Sequence, residues 1–407
     1  MEKLYSQKEL SLALKTLQLY FEISNEQICD QTYITIDKYY RLTNGYDKID
    51  EQILDRILSC YLIDFREFMS NNDEIKELFK DYITGYVFED KEKQGYIVQK
   101  IKENEDVFES SMSFYIVLLL RYVQKVRIFD NASSERKIIL KIYPMMEENY
   151  KAVFNLFYSL ELRRKHQLEK ANQRIMTSLN SCVGDLKNML LYHKIIIKLK
   201  RNDLINIQND FDLCKTYFLQ EHNFDRYLEM TCHEAIYYVK LCQYNIAIDL
   251  FNTALLTAER EGKTHLKNII KDNIVWVFIL KKEYQSALDY TDESFTEDIA
   301  CFHKSYLFNK LGNIEKSNEF INIALSRNLN NRSILIKLIR YVSVLNSGKK
   351  EKIFKYLQSL EQLLIDTNKY DIEDLIFIYN ELIDFLENNE QYKEATIYYR
   401  KLFNIIC

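Results

Sequence analysis

The sequence predicts an all-α fold of stacked helices, and three observations carry that prediction. Its 407 residues hold seven glycines and one proline, Pro144, far below the ~7% and ~5% of ordinary chains. So few breakers argue against turn-rich β architectures and against glycine-cradled phosphate sites. Hydrophobic residues make up 47% of the chain and charged residues 28%, a mixture rich in Leu, Ile, Lys and Glu that suits amphipathic helices. The C-terminal part also repeats one turn-plus-helix pattern several times. The length calls for roughly two to three cores.

The first seventy residues contain short helical patterns. In Ile23-Ser24-Asn25-Glu26-Gln27-Ile28-Cys29 a serine N-cap precedes an acidic residue and a glutamine, which marks a helix start. Thr35 is placed to cap a second helix running to Thr43, and Gly45 to supply the left-handed residue that ends it. Residues 51–61 form an amphipathic pattern with Ile53, Leu54, Ile57 and Leu58 on one side, and 64–69 read as a short closing helix. A polar break, Ser70-Asn71-Asn72-Asp73, comes next.

This arrangement resembles the five-helix helix-turn-helix domain of the lambda-repressor/Xre type. The match runs from Ile23 through Arg41-Leu42-Thr43-Asn44-Gly45 to Met69 without insertion. Two short helices in succession suit DNA because the second can enter a major groove while the first lies across the backbone. The resemblance places Asn25 at the phosphate-contacting start of the first motif helix. It places Thr35, Asp37 and Lys38 at the groove-facing start of the second, with Arg41 and Asn44 near the backbone. Two positions depart from the family: the turn glycine is Tyr33, and the position often held by arginine is Ile36. Residues 1–70 carry eight Lys and Arg against twelve Asp and Glu, a net charge of −4, which opposes phosphate attraction.

Beyond residue 70 the pattern changes to long amphipathic helices, with helical hairpins expected at 107–129 and 147–162. Residues 243–251, 283–290, 313–320 and 391–399 then resemble one another, each with a small residue (Ala247, Ala287, Ser317, Ala395) followed three or four positions later by an aromatic. A small residue belongs where two helices cross closely. The segments resemble degenerate tetratricopeptide repeats (TPRs): the small residues stand 40, 30 and 78 apart against an ideal period of 34, so one further unit is expected between Asn330 and Asp371. The two expected domains are residues 1–70, the helix-turn-helix head, and 71–407, the TPR-like helical repeats.

A TPR-like solenoid presents an extended concave surface suited to peptides. In the repeat register, inner-helix positions eleven and fourteen before the small residue fall on Trp276 and Asn273, Tyr306 and His303, and Ile236 and His233. An Asn side chain can pair with a peptide bond, and Trp and Tyr offer stacking area. His233, Asn273, Trp276, His303 and Tyr306 are therefore the expected peptide contacts.

A helix-turn-helix head joined to such a solenoid resembles the peptide-pheromone-responsive transcriptional regulators of the Rgg, PlcR and PrgX-like group, with the phage arbitrium receptors as a neighbouring family. The resemblance implies a homodimer that binds operator DNA and is switched by a short signalling peptide. A second reading is a protein-sequestering TPR adaptor whose head no longer binds DNA.

No nucleophile elbow, HExxH pair or phosphate-cradling loop occurs, so no enzyme and no cofactor are expected. The eight cysteines contain no CxxC pair, and the six histidines are scattered; Cys232 with His233, and Cys301 with His303, lack the spacing that aims two ligands at one metal. The longest apolar run, Phe114 to Leu120, is far shorter than a membrane span and the N-terminus does not read as a signal peptide, so a cytoplasmic protein without membrane contact is expected. The overall charge of −5 confines any nucleic-acid contact to a local surface.

Overall fold

The computed structural model describes residues 6–291, 298–327, 333–367 and 371–406, and every regular element among them is helical. The chain divides into two compact units, Met1–Ile197 and Lys198–Cys407.

The first unit opens with α1 (Gln7–Tyr20), α2 (Asn25–Thr32), α3 (Ile36–Thr43), α4 (Glu51–Ser59) and α5 (Phe65–Met69). Local signals set nearly every start. Ser6 and Ser24 each form a reciprocal capping box, with Glu9 and Gln27, while Thr35, Asp50 and Asp64 accept a backbone N–H in the first turn of α3, α4 and α5. Leu14 and Leu17 of α1, Tyr39 and Leu42 of α3, and Leu54, Ile57 and Leu58 of α4 are buried together with Phe68; each such aliphatic side chain contributes about 1.5–3 kcal/mol. The left-handed Gly45 (φ +76°) ends α3 as expected.

The unit continues through α6 (Asn72–Val87), α7 (Lys91–Glu103), α8 (Glu105–Glu109), α9 (Phe114–Arg127), α10 (Ser133–Ile142), α11 (Glu148–Arg164), α12 (Leu168–Leu179) and α13 (Gly184–Lys200). Pro144 sits in the 3-10 turn Tyr143–Met145 between α10 and α11, where a missing N–H breaks no helix. Residues 107–129 prove to be the end of five-residue α8 and then α9, with Ser111 and Ser113 tied to Asn72 between them. The five-helix head is fastened to the helices after it: Lys76 pairs with Glu9 at 2.9 Å, Tyr20 donates to Glu109 at 2.9 Å, and the Met112 amide donates to the Phe68 carbonyl at 2.9 Å. Compactness therefore runs past residue 70 to Ile197.

The second unit stacks α14 (Gln208–Gln220), α15 (Phe224–Lys240), α16 (Tyr244–Arg260), α17 (Thr264–Leu280), α18 (Tyr284–Asp289), α19 (Asp298–Lys310), α20 (Ile314–Ser326), α21 (Ser333–Asn346), α22 (Lys350–Thr367), α23 (Ile372–Glu387) and α24 (Tyr392–Ile406). Ala247, Ala287, Ser317 and Ala395 are each the fourth residue of the second helix of a hairpin, and each is buried. The further unit expected between Asn330 and Asp371 is the pair α21 and α22, although Asn330 itself lies outside the described residues. Its fourth position is the buried Ile353, whose bulk hid it from a pattern defined by small residues.

The seven described cysteines are free thiols. Among the described residues no helix is long and apolar enough to cross a membrane, and no group of three or more His, Cys, Asp or Glu could hold a metal ion.

Candidate functional site

In the head, α2 and α3 are joined by a tight turn at Tyr33 and Ile34. Tyr33 takes the left-handed conformation (φ 54°, ψ 32°) that glycine would adopt without cost, and its ring is 92% exposed. The exposed faces of α3 carry Thr35, Ile36, Asp37, Tyr40 and Arg41, so the expected recognition surface is open to solvent.

Apart from the exposed Asp37, the expected contacts are already engaged. The Thr35 hydroxyl accepts the Lys38 N–H, and the Asn44 amide donates to the Tyr40 carbonyl at 2.7 Å. The Asn25 side chain accepts from Gln18 of α1. Lys38 Nζ lies 3.0 Å from Asp47 Oδ2, and Arg41 donates through Nε and Nη2 to Asp47 Oδ1 at 3.1 and 2.9 Å. The hydrogen bonds from Arg41 and Lys38 hold the Asp47 carboxyl down at about 2. Asp47, on the loop after α3, was not singled out from the sequence; a carboxylate six residues beyond an arginine gives no signal until the loop is seen to turn back.

In the second unit, α15, α17, α19 and α21 are the first helices of four hairpins, and α23 reaches all four. Lys240 of α15 pairs with Glu373 at 2.8 Å; Trp276 of α17 lies 5.3 Å from the Phe377 ring; Tyr306 of α19 and Tyr341 of α21 donate to Glu381 at 2.7 and 2.5 Å. Lys310 adds contacts to both Glu381 oxygens at 2.8 and 3.0 Å. Burial, and then the Glu381 charge, push the Tyr306 and Tyr341 hydroxyls far above their ordinary range. Burial opposes the Lys310 charge, but the Glu381 carboxylate outweighs it and raises its pKa.

The five expected peptide contacts divide accordingly. Trp276 stacks on His303, with ring centroids 5.7 Å apart and planes 18° from parallel, so the repeat register did bring neighbouring inner helices together. His303 and Tyr306 are 2% and 1% exposed and present no surface to a ligand in this conformation. His233, Asn273 and Trp276 are partly exposed, and Asn273 donates to the Ile269 carbonyl at 2.9 Å. The role of α23 was missed. Its signal was a row of acidic residues, Glu373, Glu381 and Asp384, on a strongly apolar helix, a placement that requires cationic partners; Lys240, Lys310 and Lys282 supply them.

No protein-family model matches the chain, and no curated protein matches it. Solved structures match its fold. NprR in complex with its cognate peptide NprX gives a TM-score of 0.58 at 16% identity, covering 82% of this chain and 99% of that one. A Rap protein complexed with competence and sporulation factor gives 0.60 at 13% identity, covering 82% and 98%. Aspartyl phosphate phosphatase F from Bacillus subtilis gives 0.55 at 16% identity, covering 83% and 94%. At these identities the likeness establishes the fold, an all-α TPR-like helical solenoid.

Proposed function

We propose that this chain is a cytoplasmic, non-enzymatic transcriptional regulator. In this reading residues 1–70 engage operator DNA as the heads of a homodimer, and residues 71–407 bind a short signalling peptide that changes that engagement. The observation that carries the reading is the solenoid's likeness to a structure solved with its cognate peptide, NprR with NprX. In support of the head's part, α2 and α3 follow one another through a tight turn and α3 exposes Ile36, Asp37, Tyr40 and Arg41, an order that suits groove reading.

Asn25, Thr35, Asp37, Lys38, Arg41 and Asn44 are the proposed DNA contacts. Lys38 and Arg41 reach phosphates only by leaving Asp47. For the peptide, His233, Asn273 and Trp276 are the proposed direct contacts, while His303 and Tyr306 hold Trp276 and α23 in place from beneath. Selection of genomic fragments by purified full-length protein at two salt concentrations tests the reading. A recurring site of two-fold symmetry supports it, and recovery of nothing above background removes it.

One observation favours the second reading, a protein-sequestering adaptor: Asp47 neutralises both recognition-helix cations in a head that already carries −4. A stoichiometric protein partner captured in the absence of any DNA binding decides for it.

A further inference from the structure

A cleft of about 1140 Å³ lies between α1 of the head and α10. Its charged lining divides into groups with partners and groups without. Arg136 is paired with Glu161, and Glu135 with Lys125 at 2.6 Å. Lys15, Lys137 and Lys141 remain, against Glu22 alone. Lys137 and Lys141 are exposed and stand one turn apart on α10, so both project on one side of it, and neither makes a hydrogen bond or ion pair with another described residue.

Lys15 is the informative member. Its ammonium is partly buried, and its hydrogen-bond partner is the neutral Gln18 amide oxygen at 3.1 Å. Burial, reinforced by the nearby Lys141 charge, lowers its pKa. Drawing two ammonium groups together in a partly desolvated cleft is unfavourable unless an anion joins them. Gln18 also donates to Asn25, the first residue of α2, so the cleft continues directly from the helix start that the head offers to a phosphate.

We propose that the cleft between α1 and α10 takes phosphates of the DNA backbone beside the half-site, with Lys15, Lys137 and Lys141 as their cations, so that the first solenoid helices extend the footprint of the head. This rests on the DNA-binding reading above and adds a site outside residues 1–70. It also bears on the charge difficulty of the head: Lys38 and Arg41 are held by Asp47, and Lys15, Lys137 and Lys141 add cations on α1 and α10 to the exposed Lys48 and Arg66 of the head. Three phosphate contacts made outside the groove carry affinity but no sequence information.

The test uses full-length protein and a duplex fragment recovered by selection, with affinity measured across a salt series. The Lys15→Gln/Lys141→Gln variant is expected to flatten the dependence of log Kd on log salt by about 1.8, the share of two phosphates. It is also expected to weaken binding at low salt about tenfold or more while the order of preference among mutated sites is unchanged. Because Lys15 is partly buried, Lys137→Gln on the exposed face of α10 is measured beside it and is expected to flatten the slope by about 0.9. Wild-type protein that binds the duplex with variants of unchanged slope overturns the inference and leaves the regulator reading standing. Wild-type protein that binds no duplex overturns both. Variants that bind DNA as wild type but lose an acidic protein partner assign the cleft to that partner instead.

Discussion

Arg41 donates two hydrogen bonds to one oxygen of Asp47, and the other oxygen is held by Lys38. A single loop carboxylate thus occupies the two cations that the recognition helix would present to DNA. Replacing it by an amide keeps the loop's size and releases both charges. Asp47→Asn is expected to tighten duplex binding about tenfold at low salt and to steepen the salt dependence. Affinity equal to wild type across the series would show that Asp47 does not compete with phosphate.

The left-handed Tyr33 between α2 and α3 is strained for a side chain with a Cβ, and its exposed ring gains little packing in return. Left-handed conformation costs a non-glycine residue about 1–2 kcal/mol. Tyr33→Gly is therefore expected to stabilise the first unit by about 1 kcal/mol, less the greater entropy of glycine when unfolded, read as a higher thermal midpoint. A lower midpoint would mean that the ring contributes packing the exposed position does not suggest.

The residues that made these features legible acted locally. Ser24, Thr35 and Gly45 announce α2 and α3 because capping and left-handed termination depend on a few neighbouring atoms, and the small residues Ala247, Ala287, Ser317 and Ala395 announce hairpins because helix crossing excludes larger side chains. Ile353 shows the limit, since a hairpin can instead cross over a larger buried residue. What could not be read was long-range pairing. Asp47 folds back on α3 through a loop, and α23 reaches Lys240, 133 residues away in sequence; both depend on where the backbone goes, which no local pattern encodes. For the same reason Tyr306 could be placed on the inner helix face but not beneath Glu381.

Glu381 is buried and balances the charge of Lys310 while accepting from Tyr306 and Tyr341. Glu381→Gln preserves the shape and strands the ammonium. Removing one partner of a buried pair costs about 3–5 kcal/mol, so a loss near the lower figure is expected in denaturant unfolding, and Glu381→Gln/Lys310→Met is expected to recover most of it. A loss below about 1 kcal/mol would mean that the pair is solvated in solution.

Asp374 lies at the start of α23, where burial, then the Asp371 and Glu373 charges, push its carboxyl up to about 7 from an ordinary 3.8. Its folded pKa is raised, so between about pH 4 and 7 the unfolded chain releases a proton that the folded chain keeps, and stability falls as pH rises through that window. Asp374→Asn retains an acceptor for the Asp371 N–H. It is expected to raise stability at pH 7.5 by on the order of 2 kcal/mol and to flatten that part of the pH profile. An unchanged profile would place the carboxylate in water.

The inner helices separate contact from support, and peptide titration can distinguish the two. Asn273 is partly exposed, and its amide donates to the Ile269 carbonyl of its own helix, so Asn273→Ala leaves no buried group unpaired. It is expected to weaken binding of the signalling peptide about fivefold or more, the worth of one or two hydrogen bonds to a peptide, at an unchanged thermal midpoint. Tyr306 has the opposite profile: it is 1% exposed and its hydroxyl is spent on Glu381. Tyr306→Phe is expected to lower stability by about 1–3 kcal/mol with little change in affinity once the protein is folded. Calorimetry and thermal unfolding on both variants check the division. If Tyr306→Phe removes binding while Asn273→Ala does not, the peptide must enter beneath α23, and the contacts of α23 with Tyr306 and Tyr341 would belong to the unliganded state alone.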